Sequence, residues 1–575
     1  MREWNLKSKD PVSLTLAADA RTGCTDYCND QIWSLSLGGG EPLALALQTT
    51  FGLRARNFRL FPRFIEGEQT ISDPAVFAIA PSVRHFYPNY LLVDFSPFEG
   101  IEVEAEYWIP SSQSVSGRMR FKNQGNTERK LRVEWVALLT PAAAGQRMVP
   151  ENFGTLKSLS GNSSDLYPVV VLGGVPQANT SPFPSLELSM ELPPRGEGQM
   201  VWAQAALNSV ENSFNLARQA LARNWDAEIA RLDLLNAGLV EIHTGDPDWD
   251  AAFSLAQKVA FGLLMQPTEH LPHASFVLAR QPDLGYSLRG DGRDYNHLWN
   301  GQDPLDAWYL ASLILPAAPD LVKGVLLNFL ETAGENGEID WKPGLGGQRS
   351  QLLATPLLAC LAEKIYQASS DREFVEEVFP PLLAFFRKWF SPDRDRDGDQ
   401  IPEWDHPMQA GFDDHPLFSP WHAWSQGADI STAESPSLCA FLYRECEALS
   451  RFAALLGCQD EIAELQAVKE NLRAAVEVSW DPALSSYRYW DRDSHYTSAA
   501  EVLGERLGPG EITLGRAFDH PVRLLLRVET QGETNRPVDA YAHGVSPGGQ
   551  HLVEHLASDR FRRYYGLARA TGDRT

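Results

Sequence analysis

The sequence predicts a multidomain β + α protein in which an N-terminal antiparallel β-sandwich precedes a toroid of paired helices. Residues 1–208 contain short segments of alternating apolar and polar side chains, whereas residues 244–508 carry apolar side chains at helical spacing. Long and short loops also alternate between the predicted helices. Many short strands without intervening helices form sandwiches, and successive helical hairpins form toroids, so the two regions are expected to fold differently.

Alternating segments define the predicted sandwich, which covers residues 1–208. Residues 91–95, 101–108 and 131–138 mostly alternate apolar with polar side chains, and a turn-forming run at 123–126 separates two of these segments. Successive side chains of a strand point to opposite faces of the sheet. We therefore expect antiparallel strands with one face in a core.

A linker helix is predicted for residues 209–243. Phe214, Leu221 and Trp225 follow a helical rhythm in this segment, which separates it from the strands before it. The run Thr244-Gly245-Asp246-Pro247-Asp248 then ends the linker and provides a cap for the next helix.

The helical domain is predicted to span residues 244–508. The predicted helices are 249–265, 305–315, 321–331, 350–368, 372–389, 434–456 and 462–478. The long loops between them are rich in acidic and aromatic residues, while the other connections are short turns. We expect the turns at one rim of the toroid and a functional surface at the other.

The last region, residues 509–575, is predicted to be a β-rich insertion. Residues 521–529 and 537–543 have the composition of strands. A two-stranded piece does not form a stable sheet alone. We therefore expect that the sequence stops inside this insertion and that the toroid is incomplete at its C-terminus.

Composition restricts the class of partner. The formal net charge of −25 argues against binding of nucleic acid or of an anionic membrane surface, both of which require a basic face. No apolar run is long enough to cross a bilayer, and the first ten residues do not resemble a signal peptide. Only six cysteines occur in 575 residues, which is typical of reduced thiols, so we expect a cytoplasmic protein.

The loop 393–424 has the composition of a carbohydrate site. It combines a run of aspartates with the turn Gly411-Phe412-Asp413-Asp414 and with Trp421 and Trp424. Carboxylates bind sugar hydroxyls, and indole rings pack against the apolar C–H faces of sugars. An acid held near apolar rings also has a raised pKa, as a general acid requires.

The start of this loop has a second interpretation. Asp393, Asp395, Asp397 and Asp399 match the first half of a calcium-binding loop, in which hard carboxylate oxygens surround the ion. Trp404 stands where the twelfth ligand of such a loop would be a glutamate, although Glu403 is adjacent. A structural calcium and a solvated loop are the two alternatives.

Five ordered segments resemble glycoside hydrolase family 63 and its relatives, the trehalases and mannosylglycerate hydrolase-like enzymes. The segments are Trp299-Asn300-Gly301-Gln302-Asp303, Asn336-Gly337-Glu338-Ile339, Thr355-Pro356-Leu357, Asp397-Gly398-Asp399-Gln400-Ile401-Pro402-Glu403-Trp404 and Ala410-Gly411-Phe412-Asp413-Asp414-His415-Pro416. The β-region followed by a linker helix is also similar to the N-terminal half of that family. The similarity covers most of residues 1–500.

The resemblance implies an (α/α)₆ barrel of the six-hairpin glycosidase type that hydrolyses an α-glycosidic bond with inversion. In that chemistry one carboxyl protonates the leaving oxygen and a second, about 6.5–9.5 Å away, activates water. The resemblance places Asp413 at the general-acid position. The residues expected to bind substrate are Trp299, Asp303, Trp341, Glu403, Trp404, Asp414 and Trp421.

The family's general base is a glutamate near the C-terminal end of the barrel, and no segment before Thr575 matches it. We therefore expect the base beyond residue 575 and only weak hydrolysis by this chain, unless Glu403 or Glu434 serves instead. The predicted function is an inverting α-glycosidase for a small glucoside or oligosaccharide, with no cofactor required. The alternatives are a non-catalytic carbohydrate-binding or scaffold protein and a glucosidase domain of the glycogen-debranching type. The sugar, the linkage and the oligomeric state are left open.

Overall fold

The structure is a computed structural model that describes residues 6–7, 14–23, 25–142, 144–295, 301–412, 414–419, 422, 424–497, 501–529, 537–545, 548–564 and 567–571. The chain divides into two compact units. The N-terminal unit comprises Met1–Gln302, Tyr309–Asn328 and Pro343–Gln348, and the C-terminal unit comprises Asp303–Trp308, Phe329–Lys342 and Arg349–Thr575.

Strands occupy most of the first 207 residues. They are β1 (Leu6–Lys7), β2 (Thr15–Leu16), β3 (Trp33–Ser36), β4 (Ala46–Thr49), β5 (Ala55–Glu66), β6 (Gln69–Ile71), β7 (Ile79–Tyr87), β8 (Tyr90–Ser96), β9 (Ile101–Ser111), β10 (Ser114–Asn123), β11 (Arg129–Pro141), β12 (Gln146–Phe153), β13 (Leu156–Asn162), β14 (Tyr167–Leu172), β15 (Gln177–Asn179), β16 (Ser185–Leu192) and β17 (Glu197–Leu207). Each of the three segments predicted from alternation lies within one of these strands, namely β8, β9 and β11.

The strands form two antiparallel sheets. A nine-stranded sheet has the order β1-β7-β8-β9-β10-β17-β14-β13-β12, and an eight-stranded sheet has the order β15-β16-β11-β5-β4-β3-β2 with β6 paired to β5. Side chains from both sheets share one buried apolar cluster. Trp135 of one sheet stacks on Trp202 of the other with ring centroids 4.2 Å apart. Gly117 leaves room for this pair, because a Cβ there would lie 2.3 Å from the Trp202 ring. The predicted sandwich is confirmed.

The segment that was predicted as one linker helix contains two helices, α1 (Val210–Leu221) and α2 (Trp225–Asn236). Asn224 separates them, because its extended backbone and side chain cap the second helix by accepting a hydrogen bond from the Ala227 N–H. The first helix packs its apolar face, including Phe214, on the nine-stranded sheet. Trp225 of the second packs edge-on against Trp108.

The remaining elements up to residue 491 are mainly helical. They are α3 (Pro247–Leu263), β18 (Leu264–Met265), β19 (Ser275–Phe276), α4 (Pro304–Ile314), α5 (Pro319–Leu330), α6 (Leu358–Ser369), α7 (Arg372–Lys388), β20 (Ala433–Glu434), α8 (Pro436–Leu456), α9 (Gln459–Val478), β21 (Trp480–Asp481), β22 (Ser486–Tyr487) and β23 (Trp490–Asp491). In the C-terminal unit α6 packs against α7 and α8, and α8 packs against α9. The predicted fold class, a sandwich followed by helices, is confirmed, and closure of six hairpins into a toroid stays a prediction.

One predicted helix begins later than its pattern indicated. Residues 350–368 were predicted to be helical, but α6 starts at Leu358. The Asp340 carboxylate accepts hydrogen bonds from the N–H groups of Ser350 and Gln351, and Gln351 has a left-handed φ of 61°. A helix cannot include these residues in that conformation. The conformation of the loop before α6 is therefore set by hydrogen bonds to the Asp340 side chain.

The C-terminal region contains the strands that were predicted there. These are β24 (Leu525–Glu529), β25 (Ala540–Val545), β26 (His551–Leu556), β27 (Arg562–Tyr564) and β28 (Leu567–Thr571). They form one three-stranded sheet and one hairpin, around a small apolar cluster that includes Leu556 and Phe561. Across the described ranges, no helix is both long and apolar enough to cross a membrane.

Candidate active site and metal centre

Hydrogen bonds fix the segment that leads into the acidic turn at 411–414. The Gln409 side chain accepts from the N–H groups of Asp405 and His406 and donates to the Leu353 carbonyl at 2.8 Å. The Thr355 hydroxyl donates to the Gln409 carbonyl at 2.6 Å. Thr355 of one family-like segment is thereby bonded to the residue that directly precedes another, which begins at Ala410. The chain enters the turn through Gly411, whose φ of 71° favours glycine.

Three predicted site residues lie outside the described residues: Asp413, Trp299 and Trp421. Their immediate neighbours Phe412, Asp414 and His422 are described. Phe412 is 47% exposed, and the Asp414 carboxylate is largely in solvent. The turn therefore presents an aromatic ring and a carboxylate at the surface of the C-terminal unit, directly beside position 413.

His415 anchors the residues after the turn. Its Nδ1 accepts a hydrogen bond from the Leu417 N–H, and its Nε2 lies 3.3 Å from the Tyr489 hydroxyl. The imidazole also stacks on Phe418, with centroids 4.9 Å apart. Burial lowers the pKa of His415. A neutral ring suits these contacts, because a protonated Nδ1 could not accept from the backbone.

Asp303 begins α4 as a buried carboxyl group. It is 8% exposed and accepts a hydrogen bond from the Asp306 N–H at 2.9 Å, as a helix N-cap does. Burial first, and then the neighbouring Asp306 carboxyl, raise the pKa of Asp303 to about 7, against an opposing effect of Lys342. Lys342 is itself buried beside Trp341, with Nζ 5.6 Å from the ring centroid. The structure thus brings Asp303 and Trp341 near a buried cation that the sequence did not indicate.

Trp404 was predicted to bind substrate, but the structure places it in the core. Its side chain is fully buried and packs edge-on against Trp389, with centroids 5.5 Å apart, and against Phe441. An indole enclosed in this way has no open face for a sugar. Its neighbour Glu403 is also fully buried and accepts a hydrogen bond from Arg396 at 3.1 Å. This carboxylate is held by protein rather than offered to a ligand in solvent.

An isolated antiparallel backbone bridge pairs Glu403 with Glu434. Burial is the main cause that raises the pKa of Glu403 to about 7. Burial, followed by repulsion from Asp399 and Asp397, raises the pKa of Glu434 to about 8. One carboxylate oxygen of each residue makes no hydrogen bond within the described part of the chain. Buried oxygens of this kind are costly unless a proton or a cation joins them.

The four aspartates predicted to bind calcium do not converge on one point. Asp393 accepts from the Ser391 hydroxyl at 2.6 Å and pairs with Lys388, and these contacts lower its pKa to about 2. Asp395 accepts from the N–H groups of Gly398 and Gln400 at 2.9 and 3.0 Å. Asp393 is therefore paired with residues at the end of α7, whereas Asp395 shapes the turn around Gly398.

The structure instead assembles Asp397 and Asp399 with Glu434 and His495. One ligand atom from each of these four residues lies within 4.8 Å of the others. The His495 Nδ1 is 3.3 Å from Glu434 Oε1, and its Nε2 is 3.5 Å from Asp397 Oδ2. Three carboxylates and one imidazole are groups that ligate divalent cations. The sequence pattern identified two of these ligands and could not find His495, which belongs to no motif.

A loop of carboxylates and aromatic rings on a helical scaffold is typical of glycosidases, and comparison with known families defines the class. Residues 295–508 match the family model of the mannosylglycerate hydrolase MGH1-like glycoside hydrolase domain. The predicted family resemblance and the predicted enzyme class, a glycosidase, are confirmed by this match, which includes the whole acidic and aromatic loop.

Two solved structures show weaker similarity. A bacterial glucoamylase complexed with acarbose is 10% identical with a TM-score of 0.42, and the alignment covers 82% of this chain and 69% of the glucoamylase. A protein described as a kojibiose phosphorylase from the human microbiome is 8% identical with a TM-score of 0.39, and the alignment covers 81% of this chain and 64% of that protein. No curated protein sequence matches the chain.

Proposed function

We propose that this protein is an inverting α-glycosidase that acts on a small glucoside or oligosaccharide, with Asp413 as the general acid. The observation that carries the proposal is the glycoside hydrolase match across residues 295–508, which contains the turn Gly411-Phe412-Asp413-Asp414. Two observations support a ligand-binding role for this loop. Hydrogen bonds of Gln409 fix the segment before the turn, and the side chains of Phe412 and Asp414 are exposed.

A general acid can be distinguished from other roles by the leaving group. Asp413→Asn should lower the hydrolysis rate of maltose or another natural disaccharide by about 10²–10⁴-fold, because the departing oxygen then receives no proton. The rate on α-D-glucosyl fluoride should fall far less, because fluoride leaves with little proton assistance. Asp460→Asn, an exposed position in the first turn of α9, is the matched control and should change neither rate.

The anomer released from the α-linked substrate tests the stereochemistry. Inversion predicts that NMR detects the β-anomer first. The Asp413→Asn test compares the rate of the variant with that of the parent, so it applies even if the parent hydrolyses its substrate slowly. Equal losses on both substrates would contradict a general-acid role, and sugar binding without turnover would favour the non-catalytic alternative.

We propose further that Asp397, Asp399, Glu434 and His495 bind a structural divalent cation, with calcium as the first candidate. The supporting observation is the 4.8 Å grouping of the ligand atoms, in which Glu434 Oε1 lies 3.3 Å from His495 Nδ1. Three carboxylates suit calcium, while an imidazole ligand suits zinc or manganese better. The cation would tie the loop at 397–399 to the strand at Glu434 and would supply no step of the hydrolysis.

A further inference from the structure

Trp424 is the most exposed tryptophan among the described residues of the C-terminal unit. Its side chain is 58% exposed, although it lies only ten residues beyond Asp414 in the loop of the proposed general acid. A single exposed apolar side chain is ordinary on a protein surface. The contacts of this indole are what distinguish it.

The Trp424 ring is held by a hydrogen-bonded histidine. His422 stacks on the indole almost in parallel, with centroids 4.9 Å apart and an angle of 13° between the rings. His422 Nε2 in turn lies 2.6 Å from Asp414 Oδ1. The three side chains form a chain of contacts that restrains the indole before any ligand arrives. Because the imidazole covers one face, the exposed area of Trp424 belongs largely to its other face and its edge.

We propose that Trp424 and Asp414 form a sugar-binding subsite in which His422 is the positioning residue. The open face of the indole would pack against the apolar C–H face of a pyranose ring, and the free oxygen of Asp414 would accept a hydrogen bond from a ring hydroxyl. A pre-positioned aromatic side chain binds without first losing rotamer entropy. The identity of the ligand as a sugar rests on the proposed function, whereas the arrangement of the three side chains does not.

The subsite can be tested by binding, independently of hydrolysis. The probe is a thio-linked maltose analogue, which glycosidases do not cleave, with thio-linked mannobiose for comparison. In the full chain, Trp424→Ala should raise the dissociation constant of the bound analogue about tenfold, equal to about 1.4 kcal/mol. Trp424→Phe should raise it less, because a smaller aromatic face remains. His422→Ala should give an intermediate effect.

Trp480→Ala is the matched control, because Trp480 is also exposed, lies in the same unit and contacts another ring, that of Tyr487. It should leave the dissociation constant within twofold of the parent. Binding should also perturb the tryptophan absorbance of the parent and of the Trp480→Ala protein, but much less that of Trp424→Ala.

The outcomes separate the subsite from the proposed function. Normal binding of both analogues by Trp424→Ala, or no binding of either by the parent protein, would overturn the subsite. Tight binding that depends on Trp424 without hydrolysis of any α-glycoside would support the subsite and overturn the proposed function.

Discussion

Two buried carboxylates of the N-terminal unit and four of the C-terminal unit differ in how the protein holds them, although Glu363 of the C-terminal unit is also paired, with Arg444 and Arg451. In the N-terminal unit, Glu106 is bonded to Arg118 and to the Tyr90 hydroxyl, and Asp30 is bonded to Arg280 and to the Ser112 hydroxyl. In the C-terminal unit, burial raises the pKa values of Asp303, Glu403, Glu434 and Glu445 to about 7 or 8. A buried charge that is paired mainly stabilises the fold, whereas a carboxyl group with a pKa near 7 can exchange a proton or bind a cation at neutral pH.

This difference indicates which unit carries the chemistry. Perturbed carboxyl groups cluster at functional sites, although structural networks also produce them. Two of these four acids, Asp303 and Glu403, stand in family-like segments, and the glycoside hydrolase match covers all four. The N-terminal unit has an extended two-sheet core and paired charges instead. Mutations should therefore affect stability in the first unit and ligand binding or pH response in the second.

The largest expected effect is on the buried Arg118–Glu106 ion pair of the N-terminal unit. Arg118→Met would leave Glu106 buried without its cation, and we expect a loss of about 3–5 kcal/mol in the free energy of unfolding. Arg84→Met is the control, because the Arg84–Asp94 pair is more than a third exposed and should be worth at most about 1 kcal/mol. Urea unfolding of both variants measures the difference. Similar losses of unfolding free energy in the two variants would show that the buried pair contributes no more to stability than the exposed pair.

A second prediction concerns Lys258, a buried charged side chain of the N-terminal unit. Lys258 is buried over the Phe86 ring, with Nζ 3.7 Å from its centroid, and donates to the Thr15 carbonyl at 2.9 Å. Burial, with repulsion from Arg280, lowers its pKa from 10.5 to about 7. The folded protein therefore binds fewer protons at this site than the unfolded chain between pH 7 and 10.5, so stability should rise with pH in that window.

Replacing the ammonium by an apolar group removes this penalty. Lys258→Met should raise the unfolding free energy at pH 7 by about 2–4 kcal/mol, less the lost hydrogen bond, and the gain should shrink as the pH approaches 10. Calorimetry at pH 7, 8.5 and 9.5 checks the trend. A gain that does not change with pH would mean that Lys258 keeps an ordinary pKa and stays charged in the folded protein over this range.

The fold was more predictable from sequence than the site. The predicted helix 372–389 is observed as Arg372–Lys388, and the predicted helix 434–456 as Pro436–Leu456. Apolar periodicity specifies such helices because their buried faces are built from residues three and four positions apart. The predicted start of α6 was wrong because the loop before it depends on hydrogen bonds to the Asp340 side chain. Apolar periodicity carries no information about such bonds.

Local composition identified the acidic loop but not the direction of its side chains. Trp404 and Trp424 both lie in this loop, yet the first is fully buried and the second is 58% exposed. Tertiary packing on Trp389 decides this difference. His495 joins Asp397 and Asp399 only because the strand that contains Trp490 pairs with the strand that contains Glu434. A ligand set assembled by strand pairing leaves no spacing motif in the sequence.

The proposed metal site gives a third test of the difference between the two units. This test concerns only the C-terminal unit. At a calcium concentration about a hundredfold above its dissociation constant, binding should stabilise the native protein by about 2.7 kcal/mol. Asp399→Asn should abolish this response, whereas Asp393→Asn should retain it, because Asp393 pairs with Lys388 and Ser391 instead. Melting curves in calcium and in chelator provide the measurement, with zinc and manganese in parallel. Equal loss of the response in both variants would restore the ligand set predicted from the sequence.

The smallest expected effect concerns Glu445, a buried acid of the C-terminal unit that lies away from the loop. Its carboxylate accepts hydrogen bonds from the N–H groups of Ala359 and Cys360 at 2.9 and 2.8 Å, in the first turn of α6. Those bonds favour the ionised form, but burial outweighs them and raises the pKa of Glu445 from 4.5 to about 7.

Between pH 4.5 and 7 the folded protein therefore binds more protons at Glu445 than the unfolded chain, so this group lowers stability as the pH rises through that window. Glu445→Gln cannot ionise and retains one acceptor oxygen for the helix. The variant should gain about 1–3 kcal/mol relative to the parent between pH 5 and 8, measured by urea unfolding at each pH. If the gain is absent and the variant is less stable at every pH, the ionised carboxylate stabilises the start of α6. Glu445 would then behave like the paired carboxylates of the N-terminal unit.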